Sequence, residues 1–108
     1  MNTGLPERVL DQMRSVFQKH PCVRAVKIFG SRAAHTYREN SDIDLALMGH
    51  VSPGELARIY GELGELPTPY KFDVVVYDRV NDADLKELIE HAGVELYSAA
   101  ASAQNEDA

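Results

Sequence analysis

The chain has 108 residues, 44 % of them hydrophobic, which fits one domain with a modest core and leaves no room for a second. Its formal net charge of −6 disfavours a nonspecific grip on a nucleic-acid backbone, but not binding of a triphosphate, because a bound divalent cation reverses the local sign. No apolar run reaches the length of a bilayer span, Met1-Asn2-Thr3-Gly4 lacks the basic and apolar regions of a signal peptide, and the single Cys22 has no partner for an internal disulfide, so the expected compartment is the cytoplasm.

Residues 5–20 predict a helix, with Leu5, Val9, Met13, Val16 and Phe17 at helical spacing and Leu10 beside them. Pro6 suits its first turn. His20-Pro21 stops it, since the residue before proline avoids the helical region, and His20 reads as a solvated helix end. Cys22 reads as a small filler. Residues 23–29 read as a strand, with Val26 and Ile28 on one face and Ala25, Lys27 and Phe29 on the other. Gly30-Ser31 then turns the chain. A short helix over residues 31–37, a polar loop at Arg38-Glu39-Asn40 and Ser41 lead to Asp42. Ser41 is read equally as an ordinary loop serine and as a residue whose hydrogen bond fixes the approach to Asp42.

The second strand spans residues 43–48 and ends at Gly49. Ser52-Pro53-Gly54-Glu55 predicts a helix start: Ser52 caps, Pro53 takes the first position and Glu55 completes a capping box. Leu56, Ile59, Tyr60 and Leu63 form the apolar stripe of that helix, and Gly64 and Pro67 bound its end. Residues 72–77 read as the third strand, with Phe72, Val74 and Val76 facing one way and Asp73, Val75 and Tyr77 the other. Asp73 is an acid at the start of an otherwise apolar strand and needs a partner. Asp78, of opposite parity and past the strand, reads as a turn or cap residue. Asn81 or Asp82 begins the last helix, lined by Leu85, Leu88 and Ile89 and stopped by Gly93. Residues 94–97 make a short final strand. The expectation is one domain over residues 1–97 and a disordered tail over 98–108. The element order predicts an α/β fold with a small mixed β-sheet, helices packed mainly on one face and the acids emerging on the other.

The chemistry concentrates between Gly30 and Asp44. Asp42 and Asp44 are two apart on a strand, so both point to one side, roughly 6–7 Å apart along the backbone, while Ile43, Leu45 and Leu47 point to the other. Two acids facing the same way repel unless a cation lies between them. Mg2+, which takes oxygen ligands and keeps company with phosphates, suits such a pair. Gly30 permits a tight turn and close approach of a ligand. Ser31 adds a hydroxyl, the N–H groups of a turn entering a helix point at anions, and Arg32 offers a forked donor to phosphate. An EF-hand is excluded because its third ligand position and its glycine position fall on Ala46 and Leu47. There is no Gly-x-x-x-x-Gly-Lys-Ser/Thr and no Gly-x-Gly-x-x-Gly, and His20, His35, His50 and His91 lack zinc-ligand spacing.

Gly30-Ser31, ten residues, then Asp42-Ile43-Asp44 resembles the nucleotidyltransferases of the DNA polymerase beta superfamily. From about Val9 to Tyr97 the chain looks like a minimal nucleotidyltransferase, the small partner of HEPN-domain proteins in toxin–antitoxin pairs. The resemblance implies transfer of a nucleoside monophosphate, AMP from ATP, onto a hydroxyl with two Mg2+ ions. It implies Asp42 and Asp44 as bridging metal ligands, Asp73 as the third catalytic and metal-binding carboxylate on a later strand, and Gly30, Ser31 and Arg32 as the nucleotide-binding segment. It also implies an acceptor tyrosine on a HEPN toxin, hence an antitoxin active as a homo- or hetero-oligomer, with no direct nucleic-acid or membrane partner. Two alternatives remain open: an antitoxin that blocks its partner without catalysis, and a small-molecule nucleotidyltransferase of the aminoglycoside-modifying kind.

Overall fold

The structure, a computed structural model, describes residues 3–30 and 42–99. Within them the order is α1 (Glu7–Gln18), β1 (Ala25–Phe29), β2 (Ile43–Met48), α2 (Pro53–Gly64), β3 (Phe72–Val76), α3 (Ala83–Ala92) and β4 (Val94–Ser98). A single 3-10 turn at Tyr77–Arg79 joins β3 to α3, so the third strand ends one residue before the predicted Tyr77. The sheet order is β3-β2-β1-β4. β1 lies antiparallel to both β2 and β4, and β2 lies parallel to β3. The mixed sheet expected from the element order is present. A parallel pair needs a crossover connection, and α2 supplies it.

Strand alternation divides the sheet into two faces. Val26, Ile28, Leu45, Leu47, Val74 and Val76 pack in one core with Leu10, Met13 and Phe17 of α1 and Ile59 and Leu63 of α2. Two of the three helices therefore cover one face. The acids have the opposite parity, as expected, but their face also carries α3. Phe29 and Ala46 on it are buried together with Ile89. The apolar alternates of β1 and β2 require cover there, and α3 provides it.

The capping residues behave as local chemistry dictates. The Ser52 hydroxyl accepts the Glu55 N–H at 3.1 Å, and the Asp82 carboxylate accepts from the Asp84 and Leu85 N–H groups. Only half of the expected capping box forms around α2, because the Glu55 carboxylate turns to His20 and Arg58. β4 runs to Ser98, one residue beyond the expected end, and the Ala99 N–H donates to the Arg24 carbonyl at 2.8 Å. The expected helix at 31–37, the loop at 38–40, Ser41 and the tail from 100 onward lie outside the described residues. Among the described residues no helix is long and apolar enough to cross a membrane.

His20 corrects the sequence reading. It is not a solvated helix end but is 6 % exposed, with Nδ1 2.6 Å from Glu55 Oε2 and Nε2 3.1 Å from Glu62 Oε1. Each ring nitrogen thus faces a carboxylate oxygen. The His20 hydrogen bond, with help from Lys19, holds the Glu62 carboxyl below its ordinary value. A depressed acid stabilises above its unfolded pKa, and that contribution is lost as pH falls through the folded one. His20→Ala is therefore expected to cost about 2–3 kcal/mol by loss of charged hydrogen bonds and packing, measured as urea unfolding at neutral pH. A loss under about 0.5 kcal/mol, the range of ordinary surface substitutions, would return His20 to the solvated class.

Candidate active site

The site starts from strand register. Asp44 lies opposite Phe29 on β1 and opposite Asp73 on β3. Neighbouring strands are about 4.8 Å apart, so Asp44 and Asp73, on adjacent parallel strands, present their carboxylates to the same side. Asp42 precedes β2 by one residue and shares the parity of Asp44. Asp42 and Asp73 are exposed and Asp44 is half-buried. Burial pushes the Asp44 carboxyl above its ordinary pKa, and the charges of Asp73 and Asp42 push it further. Among the described residues no ion pair involves any of these three acids, and no cationic side chain among them offsets the mutual repulsion.

Gly30 closes the other side. Its φ of 73° lies in the left-handed region, which glycine enters without steric cost. A Cβ there would collide with Asp44 Oδ2. Glycine is needed twice over, for its backbone conformation and for the contact with the acid. Gly30→Ala is expected to lower stability by about 1–2 kcal/mol from the left-handed backbone alone, with the clash added. Adding Asp44→Ala should recover the clash part, since neighbouring sites couple. Strict additivity in denaturant unfolding would show that Gly30 and Asp44 do not touch.

The third acid has a specific neighbour. The Tyr60 hydroxyl of α2 accepts the Val74 N–H at 2.8 Å and stands 3.4 Å from Asp73 Oδ1. Beside it runs a groove of about 390 Å3 lined by Tyr60, Gly64, Tyr70, Lys71 and Phe72. Tyr60 escapes sequence reasoning as a site residue: helical periodicity places its ring in the apolar stripe of α2 and gives no sign that its hydroxyl reaches β3. A second cavity, about 290 Å3 and lined in part by His50, Val51, Asp78 and Arg79, lies at the opposite end of β2 and β3, away from the acids.

Of the six residues singled out in the sequence, the structure brings Gly30, Asp42, Asp44 and Asp73 to one end of the sheet; Ser31 and Arg32 lie outside the described residues. Among those described, no three metal-ligating side chains close on a single point.

The polymerase beta nucleotidyltransferase domain matches residues 11–102. No curated protein sequence matches the chain. Among solved structures, a toxin–antitoxin complex with AMP-PNP is similar at 20 % identity with a TM-score of 0.67, over 87 % of this chain and 74 % of that one. The complex of a tri-AMPylated Shewanella oneidensis HEPN toxin with its MNT antitoxin is similar at 14 % identity with a TM-score of 0.65, over 91 % of this chain and 76 % of that one. A toxin–antitoxin MntA–HepT complex is similar at 16 % identity with a TM-score of 0.65, over 86 % and 73 %. At these identities the likeness is one of fold.

Proposed function

Since the chain belongs to the polymerase beta nucleotidyltransferase family, we propose that it moves a nucleoside monophosphate from a triphosphate onto a hydroxyl, with pyrophosphate leaving. The observation that carries this reading is the alignment of Asp44 with Asp73 in the β2–β3 register, with Gly30 pressed against the Asp44 carboxylate.

Asp42 and Asp44 would hold the divalent ions and Asp73 would complete the set. The residues present fit Mg2+: the donors are all carboxylate oxygens, and the charge held by Asp44 is costly without a cation. When bound, Mg2+ supplies charge neutralisation for the triphosphate and acidifies an attacking hydroxyl. The chain's own residues do the positioning. Gly30 lets the phosphates approach the backbone closely, and Ser31 and Arg32 would donate to their oxygens. Asp73, exposed on the edge strand, would stand beside the acceptor hydroxyl and take its proton.

The triphosphate would be ATP and the acceptor a tyrosine of a HEPN toxin, which makes the protein an antitoxin. Support comes from the similar complexes: one carries AMP-PNP, and in another the HEPN toxin is AMPylated. The test is incubation of this protein with ATP, Mg2+ and a HEPN partner, followed by intact-mass analysis. An added AMP on a partner tyrosine, lost when Mg2+ is chelated, is the expected result. Neutralisation of the toxin without any mass change would replace this reading with steric blocking.

A further inference from the structure

We propose that Tyr60 is a positioning residue for Asp73, fixing the third carboxylate at the outer edge of the sheet; the inference rests on the transfer reading given above. β3 is an edge strand, hydrogen-bonded to β2 on one side only. The outward N–H groups of such a strand are unpaired unless something covers them. α2 lies over this edge and lowers the Tyr60 side chain onto it. The hydroxyl oxygen accepts the Val74 N–H at 2.8 Å, which fixes where that oxygen stands. Its single proton then has two acceptors, the Val74 carbonyl at 3.3 Å and Asp73 Oδ1 at 3.4 Å. An ionised carboxylate is the stronger acceptor of the two.

Asp73 needs such a guide. Asp44 faces it in register from β2, and Asp42 adds a second negative charge on the same side. Repulsion alone drives Asp73 outward without selecting a rotamer. Among the described residues the Tyr60 hydroxyl is the hydrogen-bonding partner of its side chain, and it draws Oδ1 toward the edge. One tyrosine thus closes the open edge of β3 and orients the acid that the transfer step requires, and its ring, 39 % exposed, needs no core rearrangement to be replaced by phenylalanine.

The experiment uses Tyr60→Phe in the full chain with three readouts. Hydrogen exchange at the Val74 amide reports the edge contact, and exchange elsewhere reports that the fold is intact. Binding of Mn2+ in the presence of AMP-PNP, followed by electron paramagnetic resonance, reports the acids. Single-turnover transfer to a HEPN partner at limiting Mg2+ reports the reaction. Loss of the bond accepted from Val74 predicts faster Val74 exchange, and loss of the bond donated to Asp73 predicts Mn2+ affinity of the weaker ion reduced about 3–10-fold and transfer at limiting Mg2+ reduced by a similar factor, with KM for ATP unchanged. Faster Val74 exchange with unchanged Mn2+ affinity overturns the inference and leaves Tyr60 as an edge cap. Unchanged Val74 exchange overturns it as well. A wild-type protein whose Mn2+ affinity depends on Tyr60 but which transfers nothing upholds the positioning role and removes the transfer reading instead.

Discussion

Asp44→Asn is expected to abolish transfer, by at least about 10^3-fold, while raising the melting temperature of the metal-free protein. The two effects have one cause. Asp44 sits half-buried at the centre of three like charges, and burial followed by the charges of Asp73 and Asp42 raises its pKa. An acid raised in the fold costs stability whenever it is ionised, above its folded pKa. The cost fades as pH falls through that value toward the ordinary carboxylate range, where wild type gains the proton. The neutral amide removes the cost at neutral pH, and a gain of 1 kcal/mol would move the midpoint of a domain this size by about 4–8 °C. The advantage of Asp44→Asn should therefore be largest near neutral pH without divalent ions, shrink in acid and shrink again when Mg2+ and nucleotide stabilise the wild type alone. Asp42→Asn should lose transfer equally but gain less stability, because Asp42 is exposed. Thermal melts across pH, with and without Mg2+–ATP, check all of this. Retention of wild-type transfer by both variants would move the metal site elsewhere.

Parts of this arrangement are readable residue by residue, and the unreadable parts share a physical character. β2 is found at the predicted residues 43–48 because a short apolar alternation bounded by an acid and by Gly49 is a local signal. The start of α2 is equally local, since Ser52 caps within three residues of itself. The parity of Asp73 follows from strand geometry alone. Its register against Asp44 does not, because parallel pairing is set by how the α2 crossover lands. His20 fails for the same reason. Its carboxylate partners are 35 and 42 residues away, and a histidine before a proline looks the same whether or not a helix closes over it. Tyr60 is a mixed case. The 3.6-residue period puts its ring in one stripe with Ile59 and Leu63, but those two are buried while the ring is 39 % exposed, and its hydroxyl reaches a backbone that periodicity cannot locate. α3 on the acid face was signalled by apolar residues sharing the parity of the acids, Phe29, Ala46, Met48 and Val75, a pattern that requires cover without saying which element brings it.

Asp73→Asn should separate binding from chemistry. On the proposed reading, Asp44 on β2 and Asp42 just before it would need no third ligand to hold a single Mg2+–triphosphate, because the phosphates would complete the shell. ATP binding by the variant should therefore stay within a few-fold of wild type. Transfer should fall by about 10^2–10^4-fold, the range expected when a positioned base or acid is removed. Asp73 comes from β3, a different strand from the pair, so it can stand on the side of the entering hydroxyl while pyrophosphate departs on the other, as in-line displacement requires. Asp78→Asn is the matched control. Asp78 lies in the 3-10 turn past the far end of β3, and its carboxylate is 3.9 Å from His50 Nδ1, so neither binding nor transfer should change. Calorimetry of ATP binding and the mass shift of a HEPN partner give the two readouts separately. If Asp73→Asn modifies the partner at the normal rate, the third carboxylate is not Asp73. If it loses modification and still neutralises the toxin, protection comes from the bound antitoxin itself, and the acids serve a reaction on which neutralisation does not depend.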